Sequence, residues 1–296
     1  MSEHSQSLDE KVGKWLLETG YPLEMRTVQA FSEFESAPFA QLYPNTYYAD
    51  SKLDQGREVD LILAWVRPYD DAIFLVSLVI ECKSTSEPWV IFKRDSKESF
   101  LQSLFDPSHS HILRSTPEAE GSAFFARLEL EGLLVDNLPD GMSVPMDGYA
   151  IVTAFKSRNA RDPADHATRQ VLSAANHAGF PSESDFNSRT WYCYSVPVIV
   201  TTSPLYEAYL GDDGYEVAYR RVSVSSVNQN IPDDPNLDSA TVTIFHESAM
   251  GELLSHCRHM QRMFMALNAT SGQSDVADND GEDECMPEDI DEDGGR

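Results

Sequence analysis

The chain has 296 residues, 41% of them hydrophobic, enough to bury one large core or two small ones. Its 49 acids against 22 bases give a net charge of −27, so the body as a whole does not attract nucleic acid, and a nucleic-acid-binding face has to be local or metal-assisted. Between Ser271 and Arg296 stand eleven acids and one arginine, so that tail carries −10 and the preceding 270 residues −17.

The N-terminal MSEHSQSLDEKVGK lacks the basic region and apolar run of a secretory signal, and no stretch approaches the ~20 apolar residues of a membrane span. Ser7-Leu8-Asp9-Glu10 has the form of a capping box. Leu8, Val12, Trp15 and Leu16 follow at helical spacing and Gly20 closes a helix over 8–19. Pro22 marks a turn, Met25 to Phe34 alternates as a first strand, and Ser36 to Gln55 reads as a loop. A second strand covers 57–66, Arg67 to Asp71 is turn chemistry, and a third strand covers 72–82. That third strand is apolar on both parities and is expected at the centre of a sheet. Residues 96–145 read as a helical insertion, with helices over 96–105 and 118–134 and a loop from Pro107 to Pro117. A strand over 147–156, a helix over 163–178 ending before Gly179, and a buried strand over 191–202 follow. Tyr215–Val224 and Ala240–His246 read as strands and Ser248–Leu267 as an amphipathic helix. Beyond Ser271 the composition is that of a disordered acidic tail. The expectation is one α/β domain over 1–270, a mixed central sheet flanked by helices, followed by the tail at 271–296.

Cys82, Cys193, Cys257 and Cys285 are far apart and form no CxxC pair, which makes a reducing cytoplasm the default. The chemistry gathers instead at the hairpin from Gly56 to Ser84. Glu58 and Asp60 open its first strand, and Glu81 and Lys83 close its second. Charges at the rim of an apolar hairpin are costly to desolvate unless something binds there. If the strands pair, one acid from each converges at the sheet edge, a hard oxygen site for magnesium or manganese. Such an ion lowers the pKa of a bound water, and a lysine on the same face orients that water or stabilises the transition state of phosphodiester hydrolysis.

The spacing from Asp60 to Glu81-Cys82-Lys83, on a hairpin preceded by a helix and strand, resembles the PD-(D/E)xK nuclease superfamily. Ile80-Glu81-Cys82-Lys83-Ser84 is similar to its "ECKs" signature and Arg57-Glu58-Val59-Asp60 to an "R-E-x-D" variant, with Val59 where the family has proline. The resemblance implies a restriction-endonuclease-like α-β-β-β-α-β core, here with additional C-terminal strands and a helix. It implies Asp60, Glu81 and Lys83 as catalytic residues, with Asp60 and Glu81 holding Mg2+ or Mn2+. In Mrr-like and junction-resolvase-like branches a helical glutamate joins the metal, about one helix before a Gly-aromatic pair. Glu10, ten residues before Gly20-Tyr21, fits that position. DNA is the implied substrate, with RNA open, and a homodimer or a partner subunit of a defence or repair system is the implied assembly.

Glu58 is assigned to a supporting position or to solvent. Arg57, Trp89, Lys93 and Arg94 are candidate DNA contacts, although Trp89 reads equally as core. Glu10 is explained by its capping role alone. His109 and His111 have no Cys or acid at zinc spacing, and His256, Cys257 and His259 on the last helix, where His256 and His259 share a face, read as a solvated helix face. Gln170 is a candidate neighbour of the site. The competing expectation is a non-catalytic protein on the same fold, its acidic surface and tail binding a basic partner.

Overall fold

The structure is a computed structural model, which describes residues 7–50, 55–69, 72–94, 112–115, 148–156, 161–178, 190–211, 214–230 and 239–271. The helices expected over 96–105 and 118–134, the histidines at 109 and 111, and the acidic tail lie outside these residues.

Helix α1 (Leu8–Glu18) opens on the expected capping box. The next element corrects the sequence reading: residues 25–34 belong to helix α2 (Tyr21–Phe31) and a short 3-10 turn, not to a strand. Pro22 occupies the first turn of α2, where its missing N–H costs nothing. Leu23, Thr27 and Phe31, four apart, form its buried face. The stretch read as a loop contains strand β1 (Ala40–Asp50), which pairs antiparallel with β2 (Gln55–Tyr69). Pro44 is tolerated there because β1 is an edge strand. The turn expected over 67–71 is shorter, since β2 runs to Tyr69 and β3 (Ala72–Lys83) resumes at Ala72.

After β4 (Trp89–Lys93), the expected loop over 107–117 contains strand β5 (Ile112–Ser115), paired with β7. Then come β6 (Gly148–Thr153), helix α3 (Pro163–Ala178) and β7 (Thr190–Thr201), close to the expected bounds. The next expected strand divides at Ser223. Its first part is β9 (Val217–Val222), which pairs with β8 (Leu205–Leu210), and β10 (Val224–Asn230) leaves to pair with β11 (Ser239–His246). Helix α4 (Met250–Ser271) follows.

The strands form two mixed sheets. The larger runs β1-β2-β3-β7-β11-β10, with β5 also on β7. Within it β3, β7 and β11 are parallel, and the other pairings are antiparallel. The smaller runs β6-β4-β8-β9. Alternate residues of the large sheet divide its core in two. Leu61, Leu63, Trp65, Val76, Leu78 and Ile80 meet α2 and α4 on one face. Ile62, Ala64, Leu75 and Val79 meet α3 and the inner side of the small sheet on the other.

Helix α4 is anchored by polar groups. The Trp65 indole donates to Gln261 at 2.8 Å, and buried Arg67 donates to the Phe264 carbonyl while lying over the Phe39 ring. The small sheet approaches β10 so closely at Gly148 that a Cβ there would stand 2.1 Å from the Ser226 carbonyl.

Candidate functional site

Side chains along β2 change phase at Asp60. Val59 sides with Ile62 and Ala64, while Leu61 faces the opposite layer, although residues two apart on a regular strand share a face. The backbone therefore turns at Asp60. The strand opposite turns too: Asn45 falls in the gap of the β1–β2 register between Pro44–Leu61 and Thr46–Val59, and its φ of 48° lies in the left-handed region that asparagine tolerates. The β2–β3 ladder ends with Leu61 opposite Ile80. The Cys82 amide, next along β3, donates to Asp60 Oδ2 at 2.6 Å. A carboxylate thus takes the place of a strand carbonyl at the sheet's rim.

Glu81 lies beside it, only 1% exposed. Its Oε1 accepts from Lys83 Nζ, whose side chain remains 28% exposed. Its Oε2 is buried without a hydrogen-bond partner. Burial, and then the charge of Asp60, push Glu81 up to about 7, with Lys83 opposing. Burial also raises Asp60, against the pull of the Cys82 amide and Lys83. An orphaned buried oxygen next to a second carboxylate is an arrangement a hard cation satisfies.

The third carboxylate was missed by the sequence reading. Glu24, on the first turn of α2, is raised by partial burial and then by Asp60 and Glu58. One turn on, the Thr27 hydroxyl stands 3.5 Å from Cys82 Sγ, tying α2 to the end of β3. Reading 25–34 as a strand hid this; the spacing of Leu23, Thr27 and Phe31 was the signal that would have revealed it. Glu10 instead closes the cap: Ser7 N donates to Glu10 Oε2 at 3.0 Å and Glu10 N to Ser7 Oγ at 3.2 Å, both on an exposed helix. The helical acid acting on Asp60 and Glu81 is therefore Glu24. Glu58 is exposed, but close enough for its charge to bear on Asp60 and Glu24.

Two further elements complete the surroundings. The C-terminal end of β7 lies parallel to that of β3, with Thr201 opposite Lys83. Thr201 Oγ1 donates to the Lys83 carbonyl at 2.8 Å, and the Ser84 and Thr202 hydroxyls stand 3.2 Å apart. Ser84 and Thr202 line an open cleft that α2 borders through Pro22 and Arg26. On the opposite face of the sheet, α3 lies close because Ala164, Ala167, Ala174 and Ala175 form its buried side. His166, on its first turns, is lowered by burial and then by Arg161, Lys83 and Arg57. Gln170 is half-buried one turn further.

The remaining candidates are dispersed. Trp89 is fully buried in the core between the sheets. Lys93 is buried, its ammonium 3.3 Å from Glu207, which also binds Arg220 and Ser225. Trp89 thus follows its core reading, and Lys93, expected as a DNA contact, is instead largely buried against Glu207, because the alternation of β4 turns both inward. Arg94 is exposed and Arg57 half-buried. Cys257 lies in the core behind α2, and His256 is 3.9 Å from Glu252. Cys82, Cys193 and Cys257 are buried thiols.

Among the described residues no group of three or more His, Cys, Asp or Glu side chains is gathered closely enough to hold a metal ion. Asp60 and Glu81 are the two carboxylates at the rim that could hold a hard cation, which magnesium-type sites bind through one or two carboxylates. No protein family matches the chain, and no curated protein or solved structure does. Among the described residues no helix is long and apolar enough to cross a membrane.

Proposed function

We propose that this chain is a divalent-metal-dependent nuclease that hydrolyses phosphodiester bonds of DNA, with RNA as the alternative polymer. The observation that carries the reading is the buried, unpartnered Oε2 of Glu81, set beside Asp60 and next to Lys83. Burial and the charge of Asp60 raise the proton affinity of both Glu24 and Glu81, and Glu24 adds to the rise at Glu81. A cation among them reverses that cost.

The fold supports the same reading. With β4, β5 and β6 set aside between β3 and α3, the elements α2, β1, β2, β3, α3 and β7 run α-β-β-β-α-β, and β7 returns parallel beside β3. This is the order of the restriction-endonuclease-like core that the motif resemblance implies. The site also lies outside the carboxyl ends of parallel strands, where open α/β sheets bind ligands.

Asp60 and Glu81 would hold Mg2+ or Mn2+, with Glu24 adding charge from α2. When bound, that ion supplies Lewis acidity and an acidified water. Asp60 is fixed by the Cys82 amide, so its carboxylate enters the reaction already oriented. Lys83 has donors beyond the one spent on Glu81, and its partly exposed ammonium can steady a scissile phosphate or orient the attacking water.

The test is cleavage of single- and double-stranded DNA and RNA by purified protein with Mg2+ or Mn2+. Wild type should cut at least one substrate, and Asp60→Ala and Lys83→Ala should not. An intact panel in both metals, or variants that cut like wild type, would overturn the assignment.

A further inference from the structure

A second cleft lies at one end of the small sheet. Strands β4 and β8 run parallel, and their carboxyl ends open together into it. Its volume is about 1090 Å3, and the space outside the carboxyl ends of parallel strands is where α/β sheets take ligands. Phe92, Tyr149, Tyr209, Leu210 and Val217 supply its apolar walls. The Phe92 and Tyr149 rings have centroids 6.3 Å apart, and Tyr149 is 57% exposed, which leaves ring surface open to a ligand. Gly148, packed against the Ser226 carbonyl, fixes the backbone from which Tyr149 projects.

The floor is charged. Lys93 and Glu207 are buried with ammonium and carboxylate 3.3 Å apart. Arg220 Nη2 donates to Glu207 Oε2 at 2.7 Å and Ser225 Oγ to Oε1 at 2.8 Å, so both oxygens of that acid are engaged within the chain. Arg94 stands exposed at the rim. Among the described residues lining this cleft, three bases therefore accompany one acid. The cleft beside Ser84 sets Arg26 against Glu87, and the one beside Ser223 sets Arg221 against Glu252, so neither has such an excess. Glu216, next to Val217, is exposed and does not line the cleft. In a chain carrying −27, this lining favours an anion.

We propose that this cleft binds a nucleotide, its base stacked on Tyr149 and its phosphate on Arg94, with Lys93 and Arg220 adding positive charge from the floor. The walls suit a planar ring and the bases suit a negative charge, and a nucleotide joins the two in one small unit. That unit arrives either as a free nucleotide or as part of a nucleic-acid strand. The inference does not depend on the nuclease reading, whose carboxylates stand on the large sheet.

Calorimetry of the full chain in EDTA, where metal-dependent cleavage is stopped, compares AMP, UMP, adenosine, inorganic phosphate and single-stranded oligo(dA). AMP and UMP should bind, and adenosine or phosphate alone should bind more weakly than either. Tyr149→Ala and Arg94→Ala should each weaken nucleotide binding about tenfold, as expected for loss of a stacked ring or a phosphate contact. Tyr149→Phe, which keeps the ring, should bind as wild type. Arg258→Ala, which removes a surface cation paired with Glu33 on the α2–α4 side, should change nothing. Both Tyr149 and Arg94 are exposed, and circular dichroism of each variant checks folding. Binding of oligo(dA) but not of AMP or UMP, weakened in the same variants, would sustain the cleft and assign it to a strand. Binding of AMP and UMP in preference to oligo(dA) would assign it to a free nucleotide. No binding of any probe, or wild-type affinity in Arg94→Ala/Tyr149→Ala, would overturn the proposal. So would phosphate binding as tight as AMP and indifferent to Tyr149→Ala. Nucleotide binding by a protein that cleaves nothing in Mg2+ or Mn2+ would sustain the cleft while overturning the nuclease reading.

Discussion

The Asp60 carboxylate accepts the Cys82 amide at 2.6 Å, filling the rung where the β2–β3 ladder lapses. The same oxygen that ends the sheet thereby fixes an acid next to buried Glu81. Structural and chemical roles are joined in one side chain and separate by substitution. Asp60→Asn keeps an oxygen acceptor for the amide and loses the charge. Asp60→Ala leaves a partly buried N–H unpaired, at a cost of about 1–3 kcal/mol. Thermal melts should place the Asn variant near wild type and the Ala variant clearly below, while neither binds Mn2+ by calorimetry. Equal melts would show that the amide finds another partner.

Glu81 sets a pH dependence. Its carboxyl stands at about 7 in the folded chain against an ordinary 4.5. Between those values the folded state keeps a proton that the unfolded chain has released. Stability from this group is therefore full below about pH 4.5 and is lost as pH rises toward 7. In EDTA, Glu81→Gln should remove this decline and melt higher than wild type at pH 8, because a neutral amide costs less to bury. Mn2+ should raise the wild-type melt at pH 8 and do little for the variant. A variant that melts lower than wild type at pH 8 in EDTA would count against this account.

Glu24 reaches the site through charge alone. Its removal as Glu24→Gln takes away one of the acids that raise Glu81. Carboxyl carbon NMR of labelled glutamate should show the Glu81 midpoint moving downward, toward 4.5. Glu10→Gln should leave that midpoint in place and instead weaken the α1 cap by about 1 kcal/mol or less. An unmoved midpoint in Glu24→Gln would separate α2 from the site.

Gly148 holds the two sheets in register. A methyl group there would meet the Ser226 carbonyl at 2.1 Å and the Ile91 side chain at 3.0 Å. Gly148→Ala should destabilise the protein by about 1–3 kcal/mol through forced separation of β6 from β10. Denaturant unfolding measures this directly, and a neutral substitution would mean that β6 is free to shift.

Legibility in the sequence followed the range of the contacts. The β2–β3 hairpin, with Asp60, Glu81 and Lys83, was readable because its apolar runs and its pairing are local. Helices α3 and α4 were readable from their periodicity. Helix α2 was not, since Pro22 reads as a turn when its neighbours are unknown, and Glu24 vanished with it. Strand β1 was hidden by Pro44 and Asn45, residues that only an edge strand with a local kink accommodates. Trp89 and Lys93 follow the motif closely in sequence, yet the small sheet that buries them is assembled from β4, β6 and β8, whose pairing no local pattern announces.

The seam between Lys83 and Thr201 joins residues 118 positions apart. Loop closure of that length is slow compared with zipping a hairpin, so β2 and β3 pair before β7 arrives. Glu81 should keep its water until β7 and α3 dock, so the cost of burying its charge falls within that slow long-range closure. Ionisation of Glu81 should accordingly slow refolding as pH rises through about 7, read by stopped-flow refolding in EDTA. The buried acid at the rim thus also governs how fast the sheet closes.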